Sequence, residues 1–256
     1  MKVEREPFSP SAEALACVTG CMTEIDPDDV ELQDWHRSYL QNHKNRIALD
    51  LEIIKNNTDS KSSLLEFGSI PLLLTASLVK YNYRLSGCDI APERYRSAID
   101  RLGITMVKCN IEMEPLPFNS DTFDGVIFNE LFEHLRINLI FTMQEVCRVM
   151  KPGATLLLST PNLRSLNGLL NFVLKNRSYS CAGNVFDEYS KLETLGHMGH
   201  VREYTIKEIN EFLGNLGLTV TQLIYRGRYD NLIKNTVQRL LPNLSPFVTY
   251  VVKKTG

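Results

Sequence analysis

Polar residues follow a series of short apolar runs in the middle of the chain, and their types suit binding of a polar organic ligand. Glu66, Asp89, Asn110 and Asn129 each end or follow such a run, and Glu130 comes next after Asn129. In an open parallel sheet, ligands bind outside the carboxyl ends of the strands. If the runs are parallel strands, we expect these side chains to gather at one sheet edge. Taken singly, each also fits an ordinary turn role.

Asp89 has the position of a ribose-binding acid. It lies 21 residues after Gly68, and a carboxylate there can accept hydrogen bonds from both ribose hydroxyls. The turn that begins with Gly68 continues as Ser69, Ile70 and Pro71, whereas a dinucleotide pyrophosphate needs the three glycines of GxGxxG. The turn therefore disfavours a nicotinamide or flavin cofactor. It still suits S-adenosylmethionine, which has no phosphate.

A second group of titratable side chains, Glu130, Glu133 and His134, follows this predicted edge. On one helix they would fall within an arc of about 100°, so all three could point to one place. Two carboxylates and an imidazole can hold a cation, remove a proton or have a structural role, and the spacing alone leaves these three interpretations open.

The elements that must position these residues alternate along the chain. Apolar runs predict strands at 63–67, 84–89, 105–109, 125–129, 155–160, 219–225 and 247–252. Helical periodicity predicts helices at 72–81, 91–102, 131–150, 205–216 and 231–240. This alternation of strands and helices predicts an α/β fold with a parallel sheet and helices on both faces.

Two segments do not follow this alternation of strands and helices. Residues 1–25 have no sustained period and predict a loose arm with a short helix, after which Asp26 is expected to cap one long or two broken helices ending near Asn56. We therefore expect a helical arm or lid at 1–60 and the main domain at 61–256. The stretch 162–200 is too long for a simple connection and predicts an inserted lid.

Composition narrows the class of protein. The 256 residues are 43% apolar and 23% charged, which predicts a globular protein with its own core. A net charge of -2 and the lack of a basic stripe with interleaved aromatic residues argue against nucleic acid. Six cysteines without metal-site spacing, an acidic start and no apolar run near the roughly 18 residues of a membrane span predict a cytoplasmic protein without membrane insertion. The oligomeric state stays open.

Six motifs together resemble class I S-adenosylmethionine-dependent methyltransferases over residues 62–253. In chain order they are LLEFG at 64–68, GCDI at 87–90, LPFNSDTFD at 116–124, ELFEHL at 130–135, RVMKPG at 148–153 and STPN at 159–162. Each is weak alone, but all six follow the family's order and spacing. The resemblance, strongest to the small-molecule group that includes the ubiquinone-pathway enzymes, implies a Rossmann-like, doubly wound sheet of seven mostly parallel strands with the last reversed.

The resemblance implies a cofactor role for each matching position. Glu66 and Gly68 would shape the pocket for the methionine part, Asp89 would hold the ribose, and Asn110 with Ile111 would meet the adenine. The other expected cofactor contacts are Phe67, Ser69, Ile90 and, near the sulfonium, Asn129 and Glu130. The family commonly has Gly-x-Gly-x-Gly where residues 68–72 are GSIPL, a departure that bears on how tightly the cofactor binds.

The same resemblance extends to the carboxylate and histidine group. In ubiquinone-pathway O-methyltransferases a Glu-x-x-Glu-His segment holds magnesium, so Glu130, Glu133 and His134 would be the metal ligands here. Because many relatives with Glu-His at this place are not known to need a metal, His134 as a base or substrate contact and a structural role are the alternatives. Glu130 is also a candidate catalytic residue beside the sulfonium.

Further candidates lie on either side of this segment. The stretch 196–205 (GHMGHVREYT) is similar to the family's His-x-Arg-x-Tyr-Thr segment, which makes His200 a second candidate base and makes Arg202 and Tyr204 candidate substrate contacts. Thr205 and Glu208 fit a helix capping box. On the N-terminal helix, His36 and Tyr39 are expected to reach the substrate, with helix packing as the alternative.

These observations predict methyl transfer from S-adenosylmethionine to a small molecule, with a hydroxyl oxygen as the favoured acceptor and His134 or His200 as the base. Transfer to nitrogen or carbon and a non-catalytic binding protein with an altered glycine motif are the alternatives.

Overall fold

The computed structural model describes residues 1–6, 9–195 and 199–255, and this part of the chain forms an α/β fold. The strands are β1 (Lys2–Arg5), β2 (Ser63–Phe67), β3 (Arg84–Asp89), β4 (Thr105–Lys108), β5 (Phe123–Asn129), β6 (Met150–Pro161), β7 (Leu218–Arg226) and β8 (Phe247–Lys254). The helices are α1 (Ala12–Cys21), α2 (Gln33–Asn57), α3 (Leu73–Lys80), α4 (Arg96–Leu102), α5 (Leu139–Val149), α6 (Leu166–Lys175), α7 (Val185–Leu195), α8 (Ile206–Asn215) and α9 (Leu232–Leu240).

The strands form one sheet in the order β1-β7-β8-β6-β5-β2-β3-β4. β2 pairs in parallel with β3 and β5, β3 pairs in parallel with β4, and β8 runs antiparallel to β7. The mostly parallel, Rossmann-like sheet with a reversed strand is therefore confirmed. The expected number of strands was wrong, because the described part of the chain forms a sheet of eight strands and not seven.

The additional strand is β1, in the region predicted to be a loose arm. Its residues pair in parallel with Gln222–Tyr225 of β7. The carboxylate of Glu6, just after β1, forms a buried ion pair with Arg226, with Oε1 2.7 Å from Nε and side chains 7% and 4% exposed. Arg226 also donates to the Thr249 hydroxyl at 3.0 Å. These contacts attach the edge strand to the end of β7.

The chain consists of two compact units. The N-terminal unit comprises Pro7–Ile127 and Glu145–Thr155, and the C-terminal unit comprises Met1–Glu6, Phe128–Gln144 and Leu156–Thr255. The chain does not divide at the predicted boundary near residue 60, because α1 and α2 pack on α3 within the N-terminal unit. The predicted insertion at 162–200 contains α6 and α7 and belongs to the C-terminal unit; its residues 196–198 lie outside the described part of the chain.

Caps and turns account for the helix boundaries that differ from expectation. Asp29, and not Asp26, accepts the Glu31 N–H at 3.0 Å and begins a 3-10 turn that leads into α2. The predicted capping box before α8 is confirmed, since Thr205 and Glu208 exchange side-chain and backbone hydrogen bonds. Of the helices in the described part of the chain, none combines the length and apolar character that crossing a membrane requires.

We predict that Glu6→Gln lowers the free energy of unfolding by about 3 kcal/mol, because it leaves the buried Arg226 guanidinium without its counter-charge. Urea unfolding followed by circular dichroism measures this loss. The control is Glu93→Gln, whose partner Lys108 is exposed and whose loss should cost less than about 1 kcal/mol. Equal, small losses in both variants would contradict the anchoring role of Glu6.

Candidate active site

The turn after β2 keeps a glycine-like backbone although it contains only one glycine. Gly68 has φ 63° and its N–H donates to the Cys88 carbonyl at 2.9 Å. Leu72, which stands where the resembled family has its third glycine, has φ 70° and precedes α3. A left-handed conformation costs a leucine about 1–2 kcal/mol, which the complete burial of its side chain can offset. Leu72 therefore has the positive φ that a glycine adopts readily.

Asp89 is attached to this turn by its carboxylate. Oδ2 accepts the Ile70 N–H at 3.2 Å, and Oδ1 accepts the Ala91 N–H at 3.0 Å. A carboxylate has about four acceptor positions, so it can accept from several donors at once. The side chain of Ile90 beside it is 48% exposed, which gives an apolar surface next to the acid. The structure thus brings together the predicted turn and the predicted ribose-binding acid.

Glu66 is buried beneath the turn. The Thr75 hydroxyl donates to its Oε2 at 2.6 Å, and the Ser69 hydroxyl donates to its carbonyl at 2.8 Å. Burial raises the pKa of Glu66 to about 8; the Thr75 hydrogen bond lowers it, and the charges of Asp50 and Asp89 raise it further. Glu66 is therefore largely a neutral acid at pH 7. Its contacts support the turn.

The two adenine candidates lie just after β4, with half-buried side chains. The Asn110 Oδ1 accepts the Glu112 N–H at 3.2 Å, and its carbonyl accepts the N–H groups of Met113 and Glu114, each at 2.9 Å. Asn110 therefore stabilises its own turn. Phe67, another expected cofactor contact, is 2% exposed and packs in the core.

In the C-terminal unit, the end of β5 presents an unusual pair of residues. Asn129 Oδ1 is buried and has no hydrogen-bond partner among the described residues. Glu130 has φ 50°, a conformation that non-glycine residues seldom adopt and that occurs often at functional sites. Ser159 holds Glu130 in place, since its carbonyl accepts the Glu130 N–H at 2.8 Å and its hydroxyl donates to Oε1 at 2.7 Å.

Glu133, His134 and His200 form a cluster in the same unit. Glu133 Oε1 lies 4.0 Å from Nε2 of His134 and 3.9 Å from Nε2 of His200, and the two rings meet edge to face. The prediction that Glu130, Glu133 and His134 share one helix face was wrong. Residues Phe132–His134 form a 3-10 turn and α5 begins only at Leu139. The left-handed backbone of Glu130 separates it from the turn that follows.

The segment after the insertion is held against Glu133. The Glu133 carbonyl accepts the N–H groups of Val201 at 2.8 Å and Arg202 at 3.2 Å, and Glu188 of α7 accepts the His200 N–H at 2.7 Å. Burial raises the pKa of Glu133 well above its ordinary value, and the nearby charges of Glu130 and Glu203 raise it further.

Glu203 orients His200, a role that the sequence analysis missed. Its Oε1 lies 3.1 Å from His200 Nδ1. Burial would raise the pKa of Glu203, but hydrogen bonds from His200, Ser180 and the Cys181 backbone outweigh burial and hold it at about 2. A carboxylate at this place keeps the proton on Nδ1 and leaves Nε2 as an acceptor. The signal in the sequence was the acid three residues after a candidate base.

The donors of this cluster do not fit the magnesium site that the resemblance implies. Glu130 is absent from the groups of potential ligands that converge in the described part of the chain, and its carboxylate binds Ser159 instead. The converging group is Glu133, His134 and His200, which has two imidazoles, whereas magnesium prefers oxygen ligands.

The two candidates on the N-terminal helix have structural contacts. His36, expected to reach the substrate, is 1% exposed, and its ring nitrogens contact the Tyr95 hydroxyl at 2.8 Å and the Ile25 carbonyl at 2.9 Å. Both nitrogens are therefore engaged inside the core, which corrects that expectation. The hydroxyl of half-buried Tyr39 accepts a hydrogen bond from Arg46 at 3.1 Å.

Arg202 and Tyr204 also have partners within the C-terminal unit. Arg202 is exposed and donates to Glu208 at 2.6 Å, and the Tyr204 ring packs edge to face on Phe132. These contacts help to build the start of α8 and its packing.

A cavity of about 240 Å³ opens in the C-terminal unit beside the loop that Glu203 holds. It is lined by hydroxyl, amide, thiol and cationic groups, among them Ser165, Asn167, Cys181, Arg228, Asn231 and Lys234. The sequence analysis did not find this cavity, because its walls come from four separate segments.

The chain is similar to known methyltransferases. A family model described as a methyltransferase domain matches residues 65–158. The human mitochondrial ubiquinone biosynthesis O-methyltransferase is 28% identical over 161 residues, which are 57% of this chain and 43% of that protein. The chain thus spans less than half of the length of this relative.

Solved methyltransferase structures share the fold. The 1,6-didemethyltoxoflavin-N1-methyltransferase of Burkholderia thailandensis, with bound 1,6-didemethyltoxoflavin and S-adenosylhomocysteine, is 14% identical, with a TM-score of 0.59 over 98% of this chain and 92% of that chain. A SAM-dependent methyltransferase from Archaeoglobus fulgidus is 14% identical, with a TM-score of 0.56 over 85% of this chain and 99% of that chain. At these identities, the likeness shows the fold.

We predict that Glu66→Gln changes how stability depends on pH. The folded-state pKa of about 8 exceeds the ordinary value of 4.5. Between these two pH values, the folded protein therefore keeps a proton on Glu66 that the unfolded chain loses. The free energy of unfolding of the unmodified protein should therefore fall by about 1.4 kcal/mol per pH unit through this group.

The glutamine variant has no titrating group at this position and so lacks this pH dependence. Its free energy of unfolding relative to that of the unmodified protein should therefore rise from pH 5 to pH 8. Urea unfolding at several pH values measures the difference. Glu31→Gln, on an exposed 3-10 turn, is the control and should give a constant difference. A constant difference for Glu66→Gln as well would show that Glu66 is ionised in the folded protein.

Proposed function

We propose that this chain, which carries a class I S-adenosylmethionine-dependent methyltransferase domain, transfers a methyl group from that cofactor to the hydroxyl oxygen of a small molecule. The observation that carries the oxygen preference is the Glu203 and His200 pair, since it supplies an oriented imidazole with Nε2 as a proton acceptor. Methyl transfer from a sulfonium requires that the acceptor atom be aligned with the methyl group. A hydroxyl acceptor must also lose its proton.

The residues of the N-terminal unit fit the adenosine part of the cofactor. Asp89, which the Ile70 and Ala91 N–H groups hold at the end of β3, would accept the ribose hydroxyls, and Ile90 would offer an apolar surface to the adenine. In the C-terminal unit, Asn129 Oδ1, which has no hydrogen-bond partner among the described residues, suits an ammonium or hydroxyl donor. When bound, S-adenosylmethionine supplies an electrophilic methyl group, and it leaves as S-adenosylhomocysteine.

His200 would remove the acceptor proton as the new bond forms. Nε2 would take the proton that the hydroxyl loses as its oxygen gains the methyl group, which S-adenosylmethionine would supply when bound. The Glu203 carboxylate then stabilises the imidazolium through Nδ1, in the way that a buried acid orients a catalytic histidine. His134, which lies edge to face with His200, is the second candidate for this role.

The comparisons support this substrate class. The human relative is named as an O-methyltransferase, and the Burkholderia neighbour is named as an N1-methyltransferase that binds a small molecule. The two names differ in the atom that is methylated. Nitrogen is therefore the alternative acceptor.

A non-catalytic binding protein is the second candidate function, since residues 70 and 72 are not glycine. The left-handed backbone at Gly68 and Leu72 favours the enzyme, because the turn keeps the conformation that glycines usually provide.

We predict that S-adenosylhomocysteine binds the unmodified protein with micromolar affinity and that Asp89→Asn weakens binding at least tenfold, because it removes hydrogen bonds to a charged acceptor. Isothermal titration calorimetry measures both affinities. Asp100→Asn, on the exposed face of α4, is the matched control and should bind as the unmodified protein does. Equal affinities of the unmodified protein and both variants would show that Asp89 does not bind the adenosine.

We predict that His200→Gln lowers kcat for a hydroxyl acceptor about 100-fold and leaves the affinity for S-adenosylhomocysteine unchanged. A methyl-transfer assay with a panel of small phenols and amines measures kcat. His43→Gln, in the N-terminal unit, is the control. Transfer to amines alone would favour the nitrogen alternative, and binding without transfer to any acceptor would favour the non-catalytic protein.

A further inference from the structure

The cavity in the C-terminal unit has a wall that carries more positive than negative charge. Its volume of about 240 Å³ is that of about eight water molecules at roughly 30 Å³ each, so it suits a small ligand or one group of a larger ligand. Arg228 and Lys234 line it, and Asp230 is the only carboxylate among its described lining residues. The balance of these charges favours an anionic ligand.

The ammonium group of Lys234 lies where it does not stabilise its own helix. Lys234 is in the first turn of α9, and a cation at that place opposes the helix dipole. Its Nζ donates to Asn167 Oδ1 at 2.7 Å and lies 5.9 Å from the centroid of the Tyr229 ring. Both partners are neutral, so neither supplies a counter-charge. An anion in the cavity would supply one.

The starts of α6 and α9 add to this positive potential. Ser165 caps α6 by accepting the Gly168 N–H at 3.1 Å, and Asn231 caps α9 by accepting the Lys234 N–H at 3.2 Å. Both capping residues line the cavity, and neither helix has an acidic residue in its first turn. The positive ends of two helix dipoles therefore support the two cationic side chains.

Buried Tyr229 holds the segments of the wall together. Its hydroxyl accepts the Leu166 N–H at 2.9 Å and donates to the Leu244 carbonyl. Its own N–H donates to Asn235 Oδ1 at 2.9 Å. The start of α6, the helix α9 and the turn before β8 thus meet at one residue. The backbone that carries the cationic side chains is therefore fixed by the fold itself.

The cavity also adjoins the loop that orients the proposed base. Ser180 and Cys181 belong to its wall. The Ser180 hydroxyl donates to the Glu203 carboxylate, and Cys181 Sγ lies 3.7 Å from Nδ1 of His200. A ligand in the cavity would therefore lie next to the loop on which the orientation of His200 depends.

We propose that this cavity binds the anionic group, a carboxylate or a phosphate, of a small molecule. Arg228 would contact two oxygens of the group through its planar guanidinium, and Lys234 would act as a point charge. Two sources fit this chemistry. The first is the methyl acceptor itself, and for that source the inference rests on the proposed function. The second is a separate small anion.

Titration of the 256-residue chain with inorganic phosphate at constant ionic strength, followed by ¹⁵N–¹H NMR of the backbone, tests the inference. We expect saturable binding with millimolar affinity. Lys234→Gln and Arg228→Gln should each weaken binding at least tenfold, because each removes a hydrogen bond from a charged donor. The matched control is Lys175→Gln, at the exposed far end of α6, which should bind phosphate as the unmodified protein does. Thermal melts verify that each variant folds.

Methyl-transfer kinetics with phenol and with 3-hydroxybenzoate, which differ by one carboxylate, distinguish the two sources. If the acceptor carries the anionic group, Lys234→Gln should raise KM for 3-hydroxybenzoate at least tenfold and leave KM for phenol unchanged. Unchanged KM values for both acceptors, in a protein that binds phosphate through Lys234, would assign the cavity to a separate anion.

Three results of the phosphate titration overturn the inference: no saturable binding, binding that Lys234→Gln and Arg228→Gln leave unchanged, or binding that Lys175→Gln weakens equally. Titration of the same samples with S-adenosylhomocysteine separates this inference from the proposed function. Cofactor binding without phosphate binding refutes only the anion site. Phosphate binding without cofactor binding refutes only the methyltransferase proposal.

Discussion

The buried Glu203 carboxylate is the interaction on which the C-terminal unit's candidate site depends. It accepts hydrogen bonds from the backbone N–H groups of Ser180, Cys181 and Ala182, from the Ser180 hydroxyl, and from Nδ1 of His200. Because a buried carboxylate needs several donors to remain charged, this set of contacts both keeps Glu203 ionised and closes the loop at 180–182. The orientation of His200 follows from that one charge.

A comparable constraint acts in the N-terminal unit. Asp89 is held by the Ile70 and Ala91 N–H groups, so the acid at the end of β3 and the turn after β2 determine each other's position. Leu72 keeps the left-handed backbone of that turn and buries its side chain completely. In both units, main-chain N–H groups hold a carboxylate in place. Asp89 would itself meet a ligand, whereas Glu203 orients His200, which would meet one.

The elements that bury regular apolar runs could be predicted from the sequence. The bounds of β2 and β3 match residue for residue, because turn residues flank both strands. β1 could not be predicted, since KVER has little apolar character and is held by backbone pairing with β7 and by the ion pair of Glu6 with Arg226, which lies far along the chain. The candidate bases were predicted, but the partnership of His200 with Glu203 and Glu133 depends on tertiary contacts.

The claim that Glu203 makes His200 a base is tested most directly by the tautomer of its ring. Two-dimensional ¹⁵N–¹H NMR of the imidazole nitrogens, recorded on the metal-free protein above the pH at which the ring becomes neutral, reports which nitrogen carries the proton. We predict a proton on Nδ1 and an unprotonated Nε2, with a mixture of tautomers in Glu203→Gln. A proton on Nε2 in the unmodified protein would contradict the account, because His200 could then accept nothing from a hydroxyl.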